Sequence, residues 1–344
     1  MPAFSQNRSS DKLSKEERLG ITGMFKYSNN SWDISKKAKY GELNFDSFRI
    51  WAQTDIGDKF FASIQYRFYE GWNMPQHFFV GYHLKNSTLK IGQTWVPFGL
   101  NWQTFDDWGN IAYYAGFQDD YDYGITWRKK TGDFTMDFGF FKNQQLSSKV
   151  TGRYDTDIYS GDITGNQKRN EETNQFNINV FWEKTISSYN IKLGASGMGG
   201  QIYNIDIDNF GSRFAGAVYA RFNYNILHIT AQDIFYDYKQ VLPGNNSVDK
   251  NFINVCSWEI AYEIPSKSNI FTSSIAVDLF KDKITVYNNF SLLSGGNSIN
   301  NSMLITNGLR TFFGHIEVFF EGYYGIGDPQ LSGNALAIVR YKTS

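Results

Sequence analysis

The chain has almost nothing that could cross-link it, catalyse a reaction or carry it through a bilayer as a helix. Among its 344 residues there is one cysteine, Cys256, so no intrachain disulfide forms and no CxxC metal or redox pattern exists. No apolar run approaches the roughly 18 residues that a membrane helix needs. Met1 to Arg18 has no apolar core of a secretory signal, although Pro2-Ala3-Phe4-Ser5-Gln6 looks like the tail of one. Residues 1–18 are therefore read as a periplasmic tail or a signal-peptide remnant, and 19–344 as one folded unit. A net charge of -1 provides no field for nucleic acid. The four histidines, His77, His83, His228 and His315, include no pair at metal-ligand spacing: His77 and His83 are six apart, too far on one strand. No Ser-His-acid arrangement stands out, Gly194, Gly197 and Gly199 lack the strand-to-helix context of a phosphate loop, and no repeat of fixed period suggests a solenoid or propeller. No enzyme, cofactor or metal is expected.

What the chain does have is aromatic residues, 18 % of the total, in a sequence whose mean hydropathy is only -0.43. A soluble core would draw its apolar content mainly from Leu, Ile and Val. Many aromatics with a polar average suit a membrane barrel, which has a lipid face, a polar lumen and aromatic girdles at both interfaces. Composition alone leaves a soluble β-sandwich or propeller open.

Period-two alternation runs nearly end to end. Phe60, Ala62, Ile64, Tyr66 and Phe68 interleave with Phe61, Ser63, Gln65, Arg67 and Tyr69. The same rhythm returns at Phe134–Phe140, Phe176–Trp182, Arg213–Tyr224 and His315–Tyr324. Side chains alternate across a strand, so each segment has one apolar and one mixed face. The segments are roughly 10 to 13 residues long, whereas ordinary strands average about 5 to 6 and tilted membrane strands need about 9 to 11. Connections alternate between short ones, such as Asp55–Asp58 and Lys130–Asp133, and long ones at Ser28–Gly41, Val96–Tyr121, Asn143–Thr173, Tyr203–Gly211 and Tyr238–Asn251. Asn143–Thr173, the most polar, reads as a mobile external loop. The expected fold is a transmembrane antiparallel β-barrel in the bacterial outer membrane, with an even strand number if both ends lie in the periplasm. About seventeen candidate strands can be marked, but such a barrel should have an even number. The conflict lies in Phe252–Leu279, and sixteen is preferred to eighteen. Phe60, Ile64, Phe68, Phe138, Val180, Val218 and Val318 should face lipid, and Tyr27, Trp127, Trp182, Trp258, Tyr262 and Tyr324 should form interfacial belts.

The long connection Val96–Asp122 carries Asp106, Asp107, Asp119, Asp120 and Asp122, and no Lys or Arg occurs between Lys90 and Arg128. It also holds Trp102, Phe105, Trp108, Tyr113, Tyr114 and Phe117, an aromatic load that calls for burial or a binding role. On the strands, the polar face holds Arg49, Arg67, Arg213, Arg221 and Arg310. An arginine facing lipid costs roughly 2–4 kcal/mol at the midplane, which places these in the lumen. Two readings of the charges stand. In one, Asp106, Asp107, Asp119 and Asp120 face Arg49 and Arg67 across a constriction. In the other, the acids solvate an outer surface and the arginines pair locally.

Lys90-Ile91-Gly92-Gln93-Thr94-Trp95-Val96-Pro97-Phe98-Gly99-Leu100 resembles the junction between strand and third loop in the phosphate-selective porins, the porins O and P and their relatives. Gly132-Asp133-Phe134, leading to Gly139-Phe140-Phe141-Lys142-Asn143, is a weaker likeness. The resemblance implies a sixteen-stranded, trimeric barrel that passes small polar or ionic solutes, with the third loop folded inward as the constriction. That family's selectivity rests on basic residues at the constriction, whereas this loop has only acidic charges. The architecture and channel role carry over and the anion preference does not; weak ion selectivity is expected. The other function class is a non-conducting or ligand-specific barrel serving binding or envelope assembly.

Overall fold

The computed structural model describes residues 18–29, 39–100, 109–163, 165, 167–244, 250–280, 283–295, 301–327 and 341–343. Sixteen strands form one antiparallel sheet in chain order. They are β1 (Arg18–Ser28), β2 (Glu42–Ile56), β3 (Phe60–Phe68), β4 (Asn73–Leu84), β5 (Ser87–Trp95), β6 (Tyr121–Thr131), β7 (Phe134–Asn143), β9 (Asn170–Ile186), β10 (Tyr189–Asn204), β11 (Asn209–Tyr224), β12 (Leu227–Lys239), β15 (Lys267–Leu279), β16 (Ile284–Gly295), β17 (Ser302–Phe313), β18 (Ile316–Ile326) and β19 (Tyr341–Thr343). Three more strands stand apart as a second small sheet: β8 (Asp157–Ile158), β13 (Phe252–Ser257) and β14 (Ile260–Pro265). The fold is a transmembrane antiparallel β-barrel. No helix is long and apolar enough to cross a membrane among the described residues.

The faces sort as the alternation demands. Phe60, Ile64, Phe68 and Val218 are exposed on the outside, and Phe138, Val180 and Val318 are half-exposed there. Their neighbours Phe61, Ser63, Gln65, Arg67, Asp137, Asn179 and Tyr219 are buried inside. An apolar exterior over a polar interior is unfavourable in water and favourable in lipid, which also requires every backbone group to be bonded along the strands. At one end the strands are joined by tight turns, where Gly57 (φ 70°) and Gly132 (φ 60°) take up a left-handed backbone that a side chain would resist.

Two expectations need correcting. Tyr203–Gly211 is not a long loop: β10 continues to Asn204, β11 resumes at Asn209, and their ladder is unbroken between them. The candidate strand in Phe252–Leu279 that broke the parity is not in the wall. β12 pairs directly with β15, and the residues between them fold back as the β13–β14 hairpin, with β8 on its other edge. Trp258 and Tyr262 therefore belong to this hairpin and not to an interfacial belt.

Candidate functional site

The lumen is crossed by the third connection, 96–120, which leaves β5 and returns to β6. Its neck is closed by a backbone bond from Val96 N–H to the Asp120 carbonyl at 2.9 Å. From there it reaches across the barrel. Gly99 N–H donates to Ser196 Oγ on β10 (2.9 Å), Leu100 N–H to Gln232 Oε1 on β12 (2.6 Å), and Ile111 N–H to Ser291 Oγ on β16 (3.1 Å). A one-turn helix, α1 (Ile111–Tyr114), is capped by Asn110, whose side chain accepts from Ala112 N–H at 2.9 Å. The loop folds inward and spans the barrel. Residues 101–108 lie outside the described residues, and with them Asp106 and Asp107.

Onto this loop pack the hairpin and the fourth connection, 144–169. Trp258 Nε1 donates to the Tyr113 hydroxyl at 2.7 Å, the Tyr262 hydroxyl donates to the Tyr114 carbonyl at 2.8 Å, and the Tyr113 hydroxyl donates to the Tyr154 carbonyl. Tyr69 stacks on Trp72 with ring centroids 4.0 Å apart, and Trp258 meets both rings edge-on. The wall opposite turns apolar to receive them, through Met198, Ile202, Ile234, Ile270, Leu293 and Leu304. The loop half of the lumen is thus packed like the core of a soluble protein.

The fourth connection is not the solvated external loop that its polarity suggests. Its polar groups bond to one another and to the hairpin. Arg153 pairs with Asp157 and donates to the carbonyls of Val150 and Ser147; Lys168 donates to the Phe252 carbonyl and to Glu263 at 3.0 Å. Groups bonded in this way can be buried at little cost, whereas both carboxylate oxygens of Asp155 are left without a partner.

Around the third loop's return lie the charges. Asp119 is 0 % exposed and sits within the field of Arg67 and Arg49. Burial pushes its carboxyl up to about 6, while Arg67 and the hydroxyls of Tyr154 and Tyr121 pull it back. Arg67 is 1 % exposed: Tyr154 covers its guanidinium at 4.3 Å, and its Nε donates to Gln65 Oε1 at 2.7 Å. Arg49 is half-buried, with Nε 3.3 Å from Ser47 Oγ. Asp120 faces away from this pair toward Asp122 and Asp157, and Arg213 beside them pairs with Glu172. Burial and neighbouring carboxylates raise the carboxyls of Asp120 and Asp155 well above the usual range.

The turn half of the lumen is different. Arg128 and Asp137 make a two-bond pair at 2.5 and 3.0 Å, Lys192 lies 3.9 Å from Glu183, and His228 lies 2.8 Å from Asp278. Arg221 stands by Glu183 and Tyr219, and Arg310 pairs with Glu317. Sequence reasoning passed over Asp155, Asp157 and Arg153 because their loop was placed outside. The run Arg153-Tyr154-Asp155-Thr156-Asp157, with charge on every second residue, was a sign of extended structure.

No family model matches the sequence, and no curated protein matches it. Solved structures do. The chain is similar to the outer membrane channel DcaP of Acinetobacter baumannii (TM-score 0.59, 14 % identity, 96 % of each chain covered). It is similar also to an anion-selective porin from Comamonas acidovorans (TM-score 0.58, 10 % identity, 95 % of each chain). A third is the trimer form of OmpT, an outer membrane protein of Vibrio cholerae (TM-score 0.56, 10 % identity, 95 % of each chain). At these identities the likeness concerns the fold, that of bacterial outer-membrane barrels.

Proposed function

We propose that the chain is an outer-membrane porin: a passive, non-enzymatic channel for small polar or charged solutes, weakly ion-selective and working as a trimer with both ends in the periplasm. The observation that carries this reading is the third loop bonded across a sixteen-stranded barrel to β10, β12 and β16, an arrangement that sets the width of a pore. Intermixed charges on the turn half of the wall favour weak selectivity, since neither sign dominates the field. The trimer form of the OmpT neighbour supports the oligomer. Kinship with phosphate-selective porins rests on Lys90–Leu100 and, more weakly, on Gly132–Asn143. In this reading Asp119, with Asp106 and Asp107, faces Arg49 and Arg67 at the narrowest level, while Asp120 belongs to the neighbouring group of Asp122, Asp157 and Arg213.

The packing of the loop half favours a second reading, a gated or ligand-specific barrel, because Arg67 and Asp119 lie beneath Tyr154 and not along open water. Single-channel recording in a planar bilayer separates the two. A porin gives steady conductance, with a reversal potential near zero in a salt gradient. Folded protein that stays silent until a solute or voltage is applied would replace the first reading by the second.

A further inference from the structure

Where the third loop rejoins the wall, three carboxylates meet without a task in solute passage. Asp120 ends the loop, Asp122 opens β6, and Asp157 stands on β8 of the fourth connection; one oxygen from each lies within 4.8 Å of the others. All three residues are buried, and Oδ1 of each has no hydrogen-bond partner in the protein. An independent observation lies beside them. Asp155 is 0 % exposed, neither of its oxygens has a partner, and its charge acts on Asp120 and Asp157. The nearby cations are engaged on other atoms: Arg153 bonds Asp157 through Oδ2 and two carbonyls besides, and Arg213 pairs with Glu172. Carboxylates outnumber guanidiniums in a dry interior, where like charges cannot all remain ionised without a counter-charge.

We propose that Asp120, Asp122 and Asp157 bind one divalent cation, calcium in preference to magnesium or zinc. Two calcium–oxygen bonds span about 4.6–5.2 Å, so no two of these oxygens are too far apart to share one ion. The donors are all hard oxygens. Zinc favours nitrogen and sulfur, and magnesium gives up its water reluctantly and demands near-octahedral geometry. Because the ligands come from the third loop, the wall and the fourth connection, the ion staples both loops to the barrel. The site is a property of the folded chain and does not depend on whether the barrel conducts.

The full-length barrel, folded in detergent and stripped with chelator, would be titrated with calcium chloride by calorimetry at pH 7.5, and with terbium followed by its luminescence. The expected result is one saturable site per chain, with magnesium at least tenfold weaker. Affinity should drop at least tenfold in Asp157→Asn and again in Asp122→Asn, and stay unchanged in Asp133→Asn at the far end of the barrel. Circular dichroism establishes that each variant retains its strands. Absence of saturable calcium binding by the folded wild-type chain overturns the proposal, as does equal affinity in folded Asp157→Asn.

Discussion

At the turn end of the lumen the Arg128 side chain is 37 % exposed beside Asp137, while at the loop end Arg153 and Asp157 are each 1 % exposed. The first region is a wet wall whose charges lean on one another, and the second is a packed interior whose charges have no water to fall back on. An exposed pair contributes about 0–1 kcal/mol, whereas breaking a buried pair costs about 3–5 kcal/mol because a charge is stranded. The same strands line both regions. The difference comes from what is folded into them, so resistance to passage and sensitivity to mutation should both concentrate at the loop end.

The most forceful way to break that contrast is to remove the hairpin. Replacing 252–265 by a short Gly-Ser bridge should raise single-channel conductance several-fold, since β12 and β15 already pair without it. Unchanged conductance would mean that the packed half does not limit flow. Next in size is Arg153→Ala, expected to cost the loop half about 3–5 kcal/mol. Limited proteolysis should then cut within 144–169 while the barrel strands stay resistant to hydrogen exchange; an uncut loop would show that the pair is dispensable.

Acidification should act more gently and in the opposite sense. Asp119 has a carboxyl raised to about 6 in the packed loop against 3.8 when free, so the packed state holds a proton that the opened state releases. Its contribution to stability is complete below 3.8 and is lost as pH rises through about 6. Lowering the pH from 7.5 to 5 should therefore raise hydrogen-exchange protection in 109–120, measured against the intrinsic rate at each pH, and Asp119→Asn should flatten the response. The smallest effect belongs to the turn end. Lys184 and Asp133 are 47 % and 44 % exposed at 3.2 Å, and Lys184→Ala should change stability by less than about 1 kcal/mol in thermal unfolding. A larger loss would erase the distinction between the two regions.

The wall was legible in the sequence because lipid and lumen impose opposite chemistry on alternate residues, as Phe60 to Tyr69 illustrate. The packed half was not, for two physical reasons. Ile253, Val255, Tyr262 and Ile264 alternate with Asn254, Cys256, Ala261 and Glu263 as a wall strand's residues would, although β13 is buried on both faces. Its turn also lacks a signature: Trp258 (φ 51°) and Glu259 (φ 61°) occupy left-handed positions where Asn-Gly is usual. That conformation is held from outside, by Trp258 N–H to the Arg153 carbonyl (2.7 Å) and Glu259 N–H to the Thr151 carbonyl (2.9 Å). The fourth connection was misplaced because a polar loop whose Arg153 and Lys168 bond within the protein reads like one whose charges bond to water. The bonds that bring Asp155 and Asp157 to Asp120 join residues far apart in the chain, and no local pattern announces them.

Cys256 lies near the end of the β13 strand, wholly enclosed, with its Sγ 3.6 Å from the Thr151 carbonyl and burial pushing its thiol up to about 12. A thiol so placed is inert until the packed half comes apart, and it is the chain's only one. It makes the molecule its own stopwatch: under excess maleimide, the rate at which a single adduct accumulates counts the moments when the interior stands open, without any engineered label.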